Sequence, residues 1–330
     1  MRKVNVVVTS VIGQECLELI SGVNPNIEVV DASVLFRDEL KGNAEAEGKL
    51  STCLAQAEII FGLRLPKNIL ARSPKLKWIQ VMSAGVEHFL DVDMRNSHVR
   101  LTNVSGIHAV PMSEFVLGMM LMFTKKSVPC LELKRNKNWT RLTPGVLKSK
   151  TVGIVGLGSI GREIARLARA FHMYVIATNR SAGEFSRARY VDSLLPAEKL
   201  PELLKSSDFV VLSVPFTTET EHLIGEKELR MMKPTAYLIN IARGGIIHEP
   251  SLIQALQEHW IAGAGLDVFA TEPLPADSPL WDIPEVIFSP HVSGVRQDYA
   301  MASTNVFVEN LKRYLGKKRL QNVVNKKRGY

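Results

Sequence analysis

Three polar side chains follow apolar runs of the sequence and together suit the reduction of a carbonyl group. Arg243 ends the run in LINIARGG, Glu272 lies in GLDVFATEPLP, and His291 ends VIFSPH. A guanidinium can bind a carboxylate and polarise a neighbouring keto oxygen. An imidazole can give that oxygen a proton as hydride arrives at carbon, and a carboxylate beside the ring orients it. These residue types therefore suit a 2-oxo acid.

Each of the three residues also has a purely structural alternative. Arg243 could form a salt bridge, Glu272 could cap a turn, and His291 could be a hydrogen-bonded core histidine. Their positions favour chemistry, because each of them, like Asp267, lies at or just beyond the C-terminal end of a predicted parallel strand. Ligands of open α/β sheets bind at the carboxyl ends of the strands.

A glycine-rich turn predicts a dinucleotide site. In TVGIVGLGSIGREIARLARAFH, an apolar strand runs into Gly156, Gly158 and Gly161 and then into a segment with helical spacing. The glycines allow a tight turn, close approach of a pyrophosphate, and close packing of helix on strand. The N–H groups of Ser159 and Ile160 at the helix start would face the pyrophosphate.

The residues after the next strand predict which dinucleotide binds. An NAD site normally has an acid here, which bonds the adenosine ribose and repels a 2′-phosphate. This chain has Asn179, Arg180 and Ser181, which supply an amide, a planar cation and a hydroxyl. We therefore expect NADP(H) to be preferred, with NAD(H) also possible. The alternative is a solvent-exposed polar turn.

Strand-like runs must position these residues. They alternate with helical patterns, and several are almost continuously apolar, as buried parallel strands are. This pattern predicts an α/β protein with parallel sheets. Long helices are expected from Pro111 to about Lys125 and over 299–315. The expected strands are 4–8, 27–30, 59–61, 78–82, 152–155, 175–177, 209–214, 236–241 and 263–268.

Composition bounds the class of protein. The chain has 330 residues, of which 46% are hydrophobic and 22% charged, and a formal charge of +8. The length favours two domains. The basic residues cluster near the C-terminus, at 317–319 and 326–328, where we expect a solvated, mobile tail rather than a nucleic-acid site. No apolar segment approaches the roughly 20 residues of a membrane helix. The three cysteines are odd in number and lack metal-like spacing, so they predict buried thiols in a reducing cytoplasm and no metal.

The chain resembles the D-isomer-specific 2-hydroxyacid dehydrogenase family over nearly its whole length. Two departures from the commoner pattern are informative: Asn179-Arg180 is typical of NADP-preferring members, and Glu272 replaces the glutamine of formate dehydrogenases. The shared motifs, in family order, are SAGVEHF, TNVSGIHAVPMSEFVLGMML, GLGSIG, VPFTTET, MKPTAYLINIARGG, GLDVFATEPLP, SPH and NVVNKKRGY.

The resemblance implies roles for individual residues. Arg243, Glu272 and His291 match the catalytic residues, and Arg243 and His291 would also contact substrate. Asp267 matches the acid that bonds the nicotinamide carboxamide. The substrate carboxylate would bind the backbone N–H groups of a loop formed by Ala84 and Gly85. The other residues expected at the cofactor are Val214, Pro215, Thr220, Ile241, Ala242 and Gly294.

The resemblance also implies the domain organisation. A flavodoxin-like substrate domain would comprise 1–103 and 295–330, with a Rossmann cofactor domain, 104–294, inserted into it. Family members are commonly homodimers, in which the long helix and the arm after it form much of the contact. The methionine face of that helix could serve there, although core packing is favoured. Its residues are Met119, Met120 and Met122.

The leading hypothesis is an NADPH-dependent 2-oxo acid reductase of glyoxylate and hydroxypyruvate reductase type, which forms the D-hydroxy acid. An NAD-linked enzyme acting on D-3-phosphoglycerate or a branched D-hydroxy acid is the alternative within enzymes. A dinucleotide-sensing protein like the corepressors of this fold is the alternative from another class. The sequence leaves the physiological substrate, the direction of reaction and the strictness of cofactor choice undetermined.

Overall fold

Strands and helices alternate along the chain, as the apolar runs predict. The computed structural model describes residues 3–183 and 186–327. The chain divides into two compact units, one formed by residues up to Ile107 together with those from Arg296 onward, the other by His108–Val295. The division of substrate and cofactor binding between residues 1–103 with 295–330 and residues 104–294 stays a prediction.

The first unit contains a five-stranded parallel sheet of order β2-β1-β3-β4-β5. This is the order of flavodoxin-like sheets. Its elements up to Ile107 are β1 Val4–Val8, α1 Gln14–Ser21, β2 Ile27–Asp31, α2 Ser33–Glu39, α3 Ala44–Gln56, β3 Ile59–Gly62, α4 Ile69–Arg72, β4 Trp78–Val81, α5 Val92–Asn96 and β5 Arg100–Thr102, with a 3₁₀ turn at Glu87–Phe89.

The second unit contains a seven-stranded parallel sheet of order β12-β11-β10-β9-β6-β7-β8, the order of dinucleotide-binding folds with one added strand. Its elements are α6 Ala109–Thr124, α7 Ser127–Arg135, β6 Thr151–Val155, α8 Ser159–Ala170, β7 Tyr174–Thr178, β8 Ser193–Leu195, α9 Leu200–Ser206, β9 Phe209–Leu212, α10 Glu226–Met231, β10 Tyr237–Asn240, α11 Glu249–Gln257, β11 Gly263–Leu266 and β12 Val286–Phe288, with 3₁₀ turns at Ala197–Lys199, Gly244–Ile246 and Pro279–Trp281.

Both faces of the second sheet are covered. Along β9, Phe209 and Val211 pack into one hydrophobic cluster while Val210 and Leu212 pack into another. Alternate residues of a strand point to opposite faces, so a strand buried on both faces must be apolar throughout. Met119 and Met120 of α6 are buried in one of these clusters, which confirms core packing for these two methionines.

The last helix, α12 (Tyr299–Leu315), packs on one face of the first sheet. Phe307 stacks on Phe61 of β3 at 4.4 Å and on Trp78 of β4 at 5.2 Å between ring centroids. Asn310 donates from its side chain to Gln80 Oε1 at 2.9 Å. The C-terminal segment therefore belongs to the unit that contains the N-terminal strands.

The basic run at 317–319 is exposed, as predicted for a solvated tail, but the prediction of a mobile tail is wrong for the residues after it, which dock on the first unit. Val324 is buried, and its N–H donates to the Leu101 carbonyl at 2.9 Å. Lys326 donates from Nζ to the Ser97 carbonyl at 3.0 Å, and burial lowers the pKa of this lysine. Val324, a second buried apolar side chain and Lys326 thus dock the segment. Arg328 lies outside the described residues. The second apolar side chain is Leu320.

The predicted fold class, two doubly wound parallel-sheet domains with the dinucleotide-type sheet inserted in sequence, is confirmed. Predicted helix 299–315 matches α12, and all nine predicted strands exist. Among the residues described, no helix is long and apolar enough to cross a bilayer.

Candidate active site

Arg243 is presented by a turn that a buried asparagine organises. It lies three residues beyond the end of β10, and its carbonyl accepts the Asn240 side-chain amide at 2.9 Å. Asn240 Oδ1 accepts the Ala242 N–H at 3.0 Å, so one fully buried side chain closes both sides of the turn. The Arg243 guanidinium is half-buried and donates from Nη1 to the Ala242 carbonyl at 2.7 Å.

Glu272 and His291 are in direct contact. The distance from His291 Nδ1 to Glu272 Oε2 is 2.7 Å, and Glu272 Oε1 accepts the Phe269 N–H at 3.1 Å. A carboxylate only accepts hydrogen bonds, so Nδ1 carries a proton in this contact, and Nε2 is left to face another partner. The side chains are 49% and 37% exposed, which leaves the pair open to a ligand.

Asp267 holds the segment that bears His291. Its fully buried carboxylate accepts the Ser289 hydroxyl at 2.7 Å, the Val292 N–H at 2.8 Å and the Ser293 N–H at 3.1 Å. Its backbone carbonyl accepts the His291 N–H at 2.8 Å. His291 has φ 54, in the left-handed region that costs a non-glycine residue about 1–2 kcal/mol. The bonds to Asp267 on both sides of His291 keep the backbone there.

The turn bearing Arg243 packs directly on the turn bearing Glu272. A Cβ on Gly244 would lie 1.9 Å from the Phe269 carbonyl carbon, so only glycine allows this approach. Because β10, β11 and β12 are parallel neighbours, their carboxyl ends share one edge of the sheet. The chain thus collects a cation, a carboxylate and an imidazole at that edge.

The glycine turn after β6 has the geometry that a dinucleotide requires. Gly156 has φ +98, and a Cβ on Gly161 would lie 2.4 Å from the Gly156 carbonyl oxygen. In contrast, a Cβ on Gly158 would meet nothing within 4 Å, so the backbone there faces open space. Gly158 is the N-cap of α8 and has no capping side chain, which leaves the N–H groups of Ser159 and Ile160 for an anion.

Asn179 organises the turn after β7 rather than projecting freely. Its side-chain amide donates to the Leu157 carbonyl at 3.3 Å, and its Oδ1 accepts both the N–H (2.9 Å) and the hydroxyl (2.8 Å) of Ser181. The Arg180 side chain is exposed. The Glu219 carboxyl, in the loop after β9, has a pKa lowered mainly by a hydrogen bond from Thr217, with a contribution from the positive charge of Arg180. The Arg180 charge is the smallest of these effects on the Glu219 pKa.

The loop after β9 packs on the glycine turn that follows β6. Ser213 donates its hydroxyl to the Gly156 carbonyl at 2.6 Å, and a Cβ on Gly156 would lie 2.6 Å from Val214. The Thr220 hydroxyl donates to the Pro215 carbonyl at 2.7 Å and so stabilises the loop internally.

The remaining predicted cofactor residues differ in what they can offer. The Ile241 side chain is 1% exposed and packs in the core, so only its backbone can reach a ligand. Ala242 is half-buried in the Asn240 turn. The Gly294 carbonyl lies 3.0 Å from His108 Nδ1, in contact with the start of α6.

Ala84 and Gly85 lie in the first unit, in a bend after β4. Among the hydrogen bonds of the described residues, the N–H groups of Ser83, Ala84, Gly85 and Val86 donate none. Successive unused N–H groups in a turn can bind an anion. This bend therefore suits a carboxylate.

Sequence reasoning missed Asn240, Ser213 and Ser289, which hold the site without being predicted to touch ligand. Their signal was a polar residue at or just after the end of an apolar strand. Within the described ranges, no group of three or more His, Cys, Asp or Glu side chains could hold a metal ion.

Comparisons with known proteins agree with this geometry. Residues 117–293 match the family described as D-isomer specific 2-hydroxyacid dehydrogenase, NAD binding domain. The glyoxylate reductase of Aeropyrum pernix is 32% identical over 341 residues, covering 99% of this chain and 97% of that protein. Glyoxylate/hydroxypyruvate reductase B of Pectobacterium carotovorum is 36% identical over 288 residues, covering 82% and 87%.

A solved structure is similar over the whole chain. It is the NADPH-dependent glyoxylate/hydroxypyruvate reductase of Sinorhizobium meliloti in complex with NADP and sulfate, with a TM-score of 0.83, 26% identity, and coverage of 99% of this chain and 100% of that one. The second unit is thus a nicotinamide-dinucleotide-binding domain, compatible with NADP. The chain belongs to the D-isomer-specific 2-hydroxyacid dehydrogenase family, and the protein is an oxidoreductase.

Proposed function

We propose that this protein reduces a small 2-oxo acid to the D-2-hydroxy acid with NADPH, in the manner of glyoxylate and hydroxypyruvate reductases. The observation that supports this most directly is the contact between His291 Nδ1 and Glu272 Oε2 at 2.7 Å. It lies at the same edge of the sheet as Arg243 and the glycine turn.

Each residue has one task in the proposed reaction. The Arg243 guanidinium binds the substrate carboxylate and polarises the keto oxygen. His291 donates the proton on Nε2 to that oxygen, while Glu272 holds the ring through Nδ1. Ala84 and Gly85 bind the carboxylate through their N–H groups. The reduced nicotinamide, when bound, supplies the hydride, so one 2-oxo acid, one NADPH and one proton give one 2-hydroxy acid and one NADP⁺.

The cofactor preference is supported by the residues after β7. Asn179 removes the repulsion that an acid would exert on a 2′-phosphate, and Arg180 adds an exposed cation beside it. Ser181 adds a hydroxyl, although that group already bonds Asn179. The Sinorhizobium meliloti enzyme, described as NADPH-dependent, is similar in fold over this whole region.

The test is oxidation of NADPH and of NADH in parallel, with glyoxylate, hydroxypyruvate, 2-oxoisocaproate and phenylpyruvate. We expect turnover of glyoxylate or hydroxypyruvate with a strong preference for NADPH. Equal use of NADH, or preference for a branched substrate, would favour the NAD-linked alternative. Cofactor binding without turnover would favour a dinucleotide-sensing protein.

A variant tests the proton donor itself. His291→Asn retains a residue that tolerates the left-handed backbone and should lose about 10²-fold or more in kcat. The matched control is His259→Asn, because His259 is also left-handed, with φ 57, and is exposed. Nearly full turnover by His291→Asn would show that the proton comes from another group.

We also propose a homodimer. Helix α7 has no buried residue, and Trp139 in the arm after it is 97% exposed. Large exposed apolar side chains of this kind are typical of protein interfaces. Light scattering should give about twice the 36.7 kDa chain mass. A cytoplasmic location is supported by three free cysteines. The prediction that these thiols are buried holds for Cys16 and is wrong for Cys53, which is half-buried, and for Cys130, which is exposed.

A further inference from the structure

In the bend after β4, residues 82–86, the four carbonyl groups of 82–85 all accept hydrogen bonds. The Met82 carbonyl accepts the Tyr299 hydroxyl. The Ser83 carbonyl accepts the Val104 N–H at 3.2 Å. The carbonyls of Ala84 and Gly85 accept hydrogen bonds from side chains. Asn103 Nδ2 donates to the Ala84 carbonyl at 2.8 Å, and Ser83 Oγ donates to the Gly85 carbonyl at 2.7 Å.

The occupied carbonyls fix where the unused N–H groups point. In a planar trans peptide unit, the C=O and the following N–H point in opposite directions. Each occupied carbonyl of 82–85 therefore fixes the direction of the N–H group that follows it, at Ser83, Ala84, Gly85 and Val86 in turn, and turns that N–H away from the carbonyl's own partner. These are the four N–H groups that donate no hydrogen bond among the described residues.

Two of the donors come from distant parts of the chain. Asn103 follows β5, is 8% exposed, and is held in orientation because its Oδ1 accepts the Ser105 N–H at 3.0 Å. Tyr299 is the first residue of α12, and burial raises the pKa of its hydroxyl, so it stays a donor at neutral pH.

We propose that Asn103 and Tyr299 are positioning residues that preorganise the bend at 82–86 to bind the carboxylate of the 2-oxo acid. They act by holding the Met82 and Ala84 carbonyls, and the N–H groups of the bend meet the substrate. This inference rests on the proposed function, which places the substrate carboxylate at Ala84 and Gly85.

The decisive variant is Tyr299→Phe, which removes one hydroxyl and keeps the ring. Loss of one hydrogen bond should raise the KM for glyoxylate about three- to tenfold. Asn103→Asp keeps the acceptor for Ser105 but replaces the donor to Ala84, and should raise KM about tenfold or more. For both variants kcat should change by less than about threefold, because the N–H groups of the bend contribute to substrate binding. The Kd for NADPH should change by less than about twofold, because the cofactor residues belong to the other unit.

Tyr314→Phe is the matched control on the same helix. Its hydroxyl donates to Glu58 Oε1 at 2.7 Å, and Glu58 precedes β3, at the opposite edge of the sheet from Met82. This variant loses a comparable hydrogen bond and should leave the KM for glyoxylate unchanged. Oxalate, a planar dicarboxylate that hydride does not reduce, gives a binding constant free of chemistry. Its Kd should rise in parallel with KM in the two positioning variants only.

The outcomes separate the inference from the proposed function. If the wild-type protein neither reduces glyoxylate nor binds oxalate, the proposed function fails. If it does both, and Tyr299→Phe keeps the wild-type KM and oxalate Kd, the positioning role is overturned. An equal rise in KM for Tyr314→Phe would overturn it as well, because the effect would then be one of general stability.

Discussion

Replacing Glu272 by glutamine tests the carboxylate–imidazole pair with almost no change of shape. The side-chain oxygen of glutamine can still accept the Phe269 N–H, but the negative charge beside His291 is lost. The amide of glutamine donates where the carboxylate accepted, so the ring nitrogen Nδ1 loses its acceptor. We therefore expect slower proton donation with the substrate site intact.

The magnitude follows from distance and exposure. A hydrogen bond to a charged group contributes about 1.5–3 kcal/mol, and an exposed ion pair only about 0–1 kcal/mol. The Glu272–His291 pair is short, at 2.7 Å, but its side chains are 37% and 49% exposed. A value of about 1–2 kcal/mol lies between these limits. At about 1.4 kcal/mol per factor of ten, kcat should fall roughly 5- to 30-fold.

The assay is NADPH oxidation at saturating glyoxylate and fixed pH. Glu249→Gln is the matched control, because Glu249 Oε2 accepts the Ala270 N–H at 3.0 Å in the same turn but bonds no imidazole among the described residues. Its kcat should stay within about twofold of wild type. If Glu272→Gln lost no more than this control, the pair would have no part in proton donation. A loss as large as that of His291→Asn would instead make Glu272 essential to the chemistry itself.

Three further changes test the cofactor site. Arg180→Ala should raise the KM for NADPH about tenfold, because arginine–phosphate bonds are charge-assisted. The KM for NADH should stay within about twofold of the wild-type value, because NADH has no 2′-phosphate. Steady-state kinetics would show this, with the exposed Arg187→Ala as control, and equal effects on both cofactors would contradict the assignment. Glu219→Gln should lower the KM for NADPH about two- to threefold at low ionic strength, because it removes a carboxylate that interacts with Arg180. A higher KM would argue against this interaction. Gly161→Ala should destabilise the fold by about 1–3 kcal/mol and weaken NADPH binding, because the new Cβ would lie 2.4 Å from the Gly156 carbonyl oxygen. A wild-type Tm and Kd would refute that expectation.

The sheets could be predicted because burial on both faces leaves a continuous apolar run. Strand β9 is such a run, and the prediction found it. Strands β5 (Arg100–Thr102) and β8 (Ser193–Leu195) have three residues each, too few to show a period. Helix α7 buries no residue, so its sequence has no apolar stripe to reveal it.

The site could be predicted as residue types at strand ends but not as a set of bonds. Parallel neighbours end at one edge, so the strand order alone brings Glu272 near His291. That Asn179 would turn its amide toward Leu157, or that Asn240 would close the Arg243 turn, depends on backbone positions within a few tenths of an ångström. Residue type alone does not specify hydrogen-bond partners at that scale.

The left-handed backbone at His291 bears on how this protein can change over evolutionary time. The fold requires of this position only a residue that accepts φ 54, and asparagine and glycine do so more readily than histidine. Asp267 holds the segment through the N–H groups of residues 291–293 and the Ser289 hydroxyl, none of which belongs to the imidazole. A single substitution could therefore abolish turnover while the descendant still folds and binds its dinucleotide. In this architecture, a gene copy no longer selected for catalysis could become a ligand-responsive protein through a single substitution. Losing the reaction in this way would change the stability of the fold very little.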